Sequence, residues 1–348
     1  MKEKILTALS GGVDSSAAAA ILLSEGYEVG GATMRLCEEE SLDPTSRARD
    51  TAETLGIPFY SFDLRREFRE SVIRDFIESY MRGETPNPCI VCNRTMKFGA
   101  FIDCAMELGY GKIATGHYGR IEKEGDRYLL YKSAYQEKDQ SYVLWSLSQD
   151  ALSCLVLPLD GLSKEETRAI AERAGLAAAH SKESQDICFV PDGDYAAFIK
   201  RKTGISFPEG DFVTADGKVL GTHKGIIHYT VGQRRGLGLA LPAPLYVKEK
   251  DTENNRVILC PNEGLFSKSL TARETNWIAC DIPAAPIRLE AKIRYGARQV
   301  PCTVIPVGDD RVAVEFDEAQ RAISPGQSVV FYDGDCVVGG GIIEKQSK

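Results

Sequence analysis

Leu9-Ser10-Gly11-Gly12-Val13-Asp14-Ser15-Ser16 is the stretch whose reading decides the fold of this 348-residue chain. An apolar run, Ile5 to Leu9, precedes it and an alanine-rich segment, Ala17 to Leu23, follows, so the pattern predicts strand, glycine turn, helix. Two glycines permit backbone angles closed to other residues and let a ligand approach the main chain. The new helix adds unpaired N–H groups and its positive dipole end, a combination that holds phosphate. A Walker-type loop would need Gly-x-x-x-x-Gly-Lys-Ser/Thr, and no lysine lies in this turn. The dinucleotide fingerprint Gly-x-Gly-x-x-Gly is missing too. A plain N-capped helix, with Ser10 or Asp14 as cap, explains neither the paired glycines nor the additional polar side chains.

Working outward, Glu28 to Leu36 reads as a second strand, Pro44 to Leu55 as a helix closed by Gly56, and Ile57 to Phe62 as a third strand. This alternation predicts a mostly parallel, doubly wound α/β sheet, whose ligands sit at the carboxyl ends of strands, where Ser10 to Ser15 and Met34 fall. Leu64 to Met81 has helical periodicity. Gly83 to Asn93 carries Pro86 and Pro88 and reads as a rigid loop, with a helix from Asn93 to Gly109. Cys92 then stands just ahead of a helix N-terminus, where the dipole and a cation such as Arg94 or Lys97 favour thiolate. Lys112 to Thr115 is a short strand ending at Gly116-His117-Tyr118. A hairpin follows over Tyr118 to Lys132, then the polar Lys138-Asp139-Gln140-Ser141-Tyr142, and a helix over Ser163 to Ala174 with a Ser163/Glu166 capping box.

Composition is that of a soluble protein, 43% hydrophobic and 26% charged, with neither a signal pattern nor a membrane-length apolar run, which predicts a cytoplasmic chain. Its ten cysteines are therefore expected to be reduced, and Cys37, Cys260, Cys280 and Cys302, isolated among apolar residues, read as packing groups. Beyond Lys202 the pattern turns glycine-rich and β-branched. Between Lys218 and Lys250 six Lys or Arg face one acid, with His223, His228 and Tyr229 interleaved, a basic aromatic-bearing surface suited to RNA although the whole chain carries a net charge of -8. Short alternating strands from about Thr271 predict a small β-barrel. The division expected is 1–202, an α/β catalytic domain; 203–268, a small β-rich central domain; and 269–348, the barrel.

The first stretch resembles the SGGxDS signature of the PP-loop ATP pyrophosphatases. Thr85-Pro86-Asn87-Pro88-x-x-x-Cys92-Asn93, Gly116-His117-Tyr118, Lys138-Asp139-Gln140-Ser141-Tyr142, Asp186-Ile187-Cys188-Phe189 and His228 to Gly236 follow in order. Together they are similar to the bacterial tRNA-specific 2-thiouridylases, across essentially the whole chain. That resemblance implies binding of MgATP, adenylation of the O2 of the wobble uridine (position 34) of tRNA, and replacement of that oxygen by sulfur. It implies ATP contacts at Ala8, Leu9, Ser10, Gly11, Gly12, Val13, Asp14, Ser15, Met34 and Gly116, and tRNA contacts at His117, Lys138, Asp139, Gln140, Arg294, Tyr295 and Gln327. Cys188 matches the position that carries a persulfide delivered by a cysteine desulfurase or sulfur-relay partner. Cys92 matches the nucleophile that completes transfer through a Cys92–Cys188 disulfide.

The chain departs from that family at Cys89, where many members have aspartate. Cys89, Cys92 and Cys188 make three thiolates, a set that suits a 4Fe-4S cluster with one open iron. A metal-free persulfide route stands ahead of that cluster, and zinc, with His117 or His180 added, and a plain redox pair are the further alternatives. Two other functions fit the phosphate loop: an amide-forming PP-loop synthetase, for which no ammonia source is visible, and a nucleotide-regulated RNA-binding redox module.

Overall fold

In the computed structural model, residues 2–180, 187–308 and 310–345 are described; the polar stretch Ser181 to Asp186 lies outside them. The apolar Ile5 and Leu6 are fully buried in strand β1 (Lys4–Ala8), at the middle of an all-parallel sheet. Its companions are β2 (Glu28–Arg35), β3 (Phe59–Asp63), β4 (Lys112–Ala114) and β7 (Leu155–Val156), in the order β3-β2-β1-β4-β7. Helix α1 (Val13–Ser24) is buried on two sides, Ala19 and Leu22 packing with Ile5 and Val29 of the sheet and the small Ala17 and Ala18 with Ala171 of the helix Lys164–Arg173. Helix α2 (Thr45–Leu55) ends where expected, with Gly56 in the left-handed region at φ 66°.

The loop expected up to Asn93 is instead helical from Pro88. Asn87 accepts the Cys89 N–H at 3.2 Å as N-cap, and Pro88 takes the first position, where its missing N–H costs nothing. An α-helical turn over Pro88–Cys92 runs into a π-helical stretch, Asn93–Ala100, with Phe98 off helical geometry (φ -116°, ψ 16°), and then into Phe101–Glu107. Cys92 therefore sits inside a helix, and Cys89 occupies its first turn. The thiolate-favouring terminus expected for Cys92 is corrected accordingly.

The predicted hairpin is present as β5 (Arg120–Glu124) and β6 (Arg127–Tyr131), and the capped helix as Lys164–Arg173, with both capping-box bonds formed. A four-stranded sheet comprises β8 (Gly210–Thr214), β9 (Val219–His223), β10 (Tyr246–Asp251) and β11 (Arg256–Cys260). His223 and Tyr229 pack edge-on with Phe212 inside this unit and Lys250 is buried, so they do not belong to the RNA-facing surface expected of them; Arg234 and Arg235 are exposed.

The last strands, β12 (Phe266–Trp277), β13 (Ile287–Lys292), β14 (Val300–Pro306), β15 (Val312–Arg321), β16 (Ser328–Asp333) and β17 (Cys336–Ile343), form an antiparallel barrel closed by β12 against β17. Strand β6 also pairs with β17, Tyr131 against Cys336 and Leu130 against Val337, so the hairpin joins the barrel sheet. Trp145 sits beside Gly340, where any Cβ would meet its ring at 2.8 Å, and donates to Ser328 Oγ. One apolar core thus runs from Leu6 and Ile113 through Trp145 to Val330 and Tyr332. Among the described residues no helix is long and apolar enough to cross a membrane.

Candidate active site: a phosphate loop and four cysteines around one cavity

At the carboxyl end of β1 the chain turns through Gly11 at φ 72° into α1. Ser15 Oγ accepts the Ser10 N–H at 3.1 Å and donates to the Gly12 carbonyl, which holds the loop open around the helix start. Gly116 lies against this helix start so closely that a Cβ would fall 2.6 Å from the Ser15 nitrogen. A cavity of about 770 Å³ opens here, the size of a nucleotide site with room to spare.

Thirteen of the positions expected at the site line it: Ala8, Leu9, Ser10, Gly11, Gly12, Val13, Asp14, Ser15, Met34, Gly116, His117, Lys138 and Gln140. Cys89, Cys92 and Cys188 line it too, so residues far apart in sequence share one chamber with the phosphate loop. Thr33, beside Met34, contributes a buried hydroxyl with no partner among the described residues, as a nucleotide-binding wall would.

Asp139, Arg294, Tyr295 and Gln327 lie outside the cavity lining. The Asp139 carboxylate accepts from the Ser133 and Ser141 N–H groups and from Ser141 Oγ, and thereby shapes its own loop. Tyr295 donates to the Asp139 carbonyl at 3.1 Å, Arg294 is exposed on the barrel beside it, and Gln327 donates to Thr85.

Cations dominate the chamber. Arg47, Lys97, Lys138 and Lys164 face it, with Asp14 as the one carboxylate among the described lining residues. Lys164, itself buried, donates to both oxygens of Asp14 at 2.7 and 2.9 Å, and Tyr118 donates to the same carboxylate at 2.9 Å. An acidic chain has thus gathered positive charge where a polyphosphate would lie.

The cysteines are not equivalent. Cys92 is buried, and burial pushes its thiol up to about 12, against the opposing pull of Lys97. Cys188 is exposed as a residue, yet packed enough on the cavity side that desolvation, followed by Cys89, raises its thiol. Cys37, expected to be a packing group, lines the same cavity and is raised to about 12, by burial first and by Cys188 next. His117 is held well below the usual imidazole range by desolvation and by Lys97. The Lys97 ammonium can only donate, so His117 Nε2, 3.4 Å away, accepts, and Nδ1–H donates to Thr115 Oγ1 at 2.8 Å.

Three family profiles cover nearly the whole chain. Residues 3–192 match one described as a tRNA methyl transferase HUP domain, 196–261 a tRNA methyl transferase PRC-barrel domain, and 267–343 an aminomethyltransferase beta-barrel domain. The tRNA-specific 2-thiouridylase MnmA of Acetivibrio thermocellus is 48% identical to this chain, with 99% of each covered. The chain belongs to the tRNA-specific 2-thiouridylase family. Its relative of the same name in Clostridioides difficile is 46% identical, again with 99% of each covered. A solved 4-thiouridine synthetase–RNA complex with bound ATP matches 58% of the chain and 50% of its own at 20% identity and a TM-score of 0.38, too distant a likeness to bear on function.

In this member of the 2-thiouridylase family, three cavity residues escaped the sequence reading. Lys164 reaches Asp14 across 150 positions, and nothing around it but a helix cap is legible. Arg47 packs on Gly11, whose Cβ would meet it at 2.7 Å. Cys37 follows β2, and its place at a strand's carboxyl end was the available signal.

Proposed function

We propose that the protein catalyses ATP-dependent 2-thiolation of the wobble uridine of tRNA, releasing AMP and pyrophosphate. The observation that carries this reading is that the phosphate loop, Cys92 and Cys188 line one cavity. Activation of an oxygen by AMP and its replacement by sulfur need both chemistries at the same carbon. Gly11, Gly12 and Ser15 offer the pyrophosphate cradle, with Lys164 and Arg47 as countercharges. Asp14 is the carboxylate that would hold Mg2+ on the phosphates, where the ion neutralises charge on the leaving pyrophosphate. Met34, Thr33 and Gly116 complete the nucleotide wall. Residues 203–268 and the barrel, with Arg294, Tyr295 and the exposed Arg234 and Arg235, form the surface proposed to meet tRNA, while Gln327 is engaged by Thr85.

Sulfur arrives as a persulfide on Cys188, supplied by a cysteine desulfurase or relay protein. The persulfide attacks C2, the AMP oxygen leaves, and Cys188 becomes joined to C2 through the delivered sulfur. Cys92 then attacks Cys188 Sγ, and the electron pair of the broken S–S bond stays on the sulfur at C2, which becomes the thione as N3 takes a proton. Oxidation of two thiols to the Cys92–Cys188 disulfide balances reduction of the persulfide sulfur, and an external dithiol resets the pair.

Among the described residues no three His, Cys, Asp or Glu side chains are gathered to hold a metal ion, so the side chains as placed offer no ready ligand set for a 4Fe-4S cluster or zinc.

The test is incubation with unmodified tRNA, ATP and a persulfide source, reading 2-thiouridine by nucleoside mass spectrometry and pyrophosphate release in parallel. Wild type is expected to form both products. Cys92→Ser and Cys188→Ser should release pyrophosphate without forming 2-thiouridine. Thiolation at the normal rate by Cys92→Ser would overturn the two-cysteine route, and pyrophosphate release independent of tRNA would favour another adenylating enzyme.

A further inference from the structure

Lys97 stands five residues after Cys92. In a regular α-helix a residue at i+5 lies far around the barrel of the helix, and only i+3 and i+4 share a face. Here the intervening turn is π-helical, with hydrogen bonds from i to i+5, and both side chains open into the same cavity. Phe98, off helical geometry, is a kink inside the wide turn, which runs on to Ala100. Such turns cost regular hydrogen-bond geometry, and this one falls at the segment that carries the nucleophile.

The ammonium is also held from the opposite wall. His117, on the turn after β4, presents Nε2 at 3.4 Å, and its other nitrogen is fixed by Thr115, itself buried. A neutral imidazole accepts from Lys97 without adding charge, and the lysine lines the chamber. Among the described residues no carboxylate pairs with Lys97, whereas Arg94, the other nearby cation, lies 3.9 Å from Glu274 on the barrel. Lys97 acts electrostatically on Cys92 and on Cys188 alike.

We propose that Lys97 is the catalytic cation of the sulfur-transfer step, brought to the Cys92 face by the π-turn and held in position by His117. This rests on the two-cysteine thiolation described above. As Cys92 Sγ bonds to Cys188 Sγ it gives up its thiol proton, the Cys188–sulfur bond breaks with its electron pair left on the sulfur at C2, and N3 takes up one proton, so none is gained or lost overall. The Lys97 ammonium, in the same cavity as both cysteines, stabilises the negative charge as it passes from Cys92 to the departing sulfur. Arg94 cannot serve, because it is turned to the barrel.

The experiment is single-turnover thiolation with protein preloaded with persulfide on Cys188, using full-length chain, tRNA and ATP. Lys97→Met is expected to slow formation of 2-thiouridine and of the Cys92–Cys188 disulfide together, by about a hundredfold, with KM for tRNA changed less than about twofold. Lys97→Arg should recover most of the rate, since the charge is kept. A rate for Lys97→Met within twofold of wild type, a loss confined to KM, or no recovery with arginine would each overturn the proposal. If Lys97→Met loses its circular dichroism, Lys97→Gln, polar and uncharged, carries the same comparison. Failure of wild type itself to thiolate would overturn the underlying reading rather than the role of Lys97.

Discussion

The side-chain amide of Gln327 donates to the carbonyl of Thr85 at 2.7 Å, although 242 positions separate the two residues. The Thr85 N–H in turn donates to the Pro325 carbonyl at 2.8 Å, so a barrel turn grips the chain two residues ahead of the Asn87 cap. Beside it Glu84, almost fully buried, is bound by Arg82 and by Arg273 of β12, and its carbonyl accepts from Lys250 of the central sheet. All three parts of the molecule therefore meet immediately before the helix that carries Cys89 and Cys92.

If this grip positions the cysteine helix, Gln327→Ala should lower kcat for thiolation several-fold and leave KM for tRNA nearly unchanged. Its stability cost is that of one hydrogen bond, about 1 kcal/mol. Steady-state kinetics decide the matter. A rise in KM alone would instead mark Gln327 as a direct tRNA contact.

Gly326 is the tightest point of the same turn. At φ 87°, an added Cβ would lie 2.8 Å from Glu84 Cβ and 2.9 Å from the Thr85 nitrogen. Gly326→Ala is expected to cost about 2 kcal/mol or more, read as the shift in urea midpoint. The control is Gly334→Ala, also at positive φ (58°) but with nothing within 4 Å, which should lose only about 1 kcal/mol. Equal losses in the two variants would show that backbone strain, and not the contact with Thr85, sets the cost.

Lys164→Met removes the cation that holds both oxygens of Asp14. Tyr118 remains on that carboxylate but cannot supply charge. Pyrophosphate release in the presence of saturating tRNA should fall about a hundredfold. A rate within twofold of wild type would remove Lys164 from the phosphate site.

Lys250 gives a pH signature. Burial lowers its pKa from 10.5 to about 8, with Glu84 opposing. Between those values the unfolded chain holds a proton that the folded chain does not. Stability from this group therefore rises with pH from about 8 to 10.5 and is absent below. Lys250→Met lacks that rise. The wild-type minus variant difference in unfolding free energy should change by about 3 kcal/mol between pH 7.5 and pH 10.5, measured by urea titration. A difference that stays flat would place Lys250 in water.

Much of the nucleotide half was readable because it is local. The strand, paired glycines and alanine face of Ile5 to Leu23 dictate β1, the loop and α1 through nearest-neighbour geometry. Cys92 was misplaced for an equally local reason. Two prolines in three residues look like a loop, yet Pro88 behind an Asn87 cap is a helix start, and the difference lies in one hydrogen bond. His223 and Tyr229 looked like surface aromatics because composition carries no direction; the register of β8 on β9 turns His223 inward, and Tyr229 follows the short helical turn Ile226–His228 onto Phe212. Lys164 and Arg47 were out of reach for another reason. Each acquires its role from a partner brought near by topology, Asp14 for one and Gly11 for the other, with no trace in its own neighbourhood.

The pairing of β6 with β17 gives the order of synthesis a meaning. Strand β17 is the last of the described elements, and it both closes the barrel and completes the sheet edge of a hairpin made more than two hundred residues earlier. A ribosome that has released the nucleotide-binding half has therefore not yet released a finished enzyme. Until that strand emerges the barrel lacks the pairing that closes it, and the turn that holds Thr85 hangs from an open sheet.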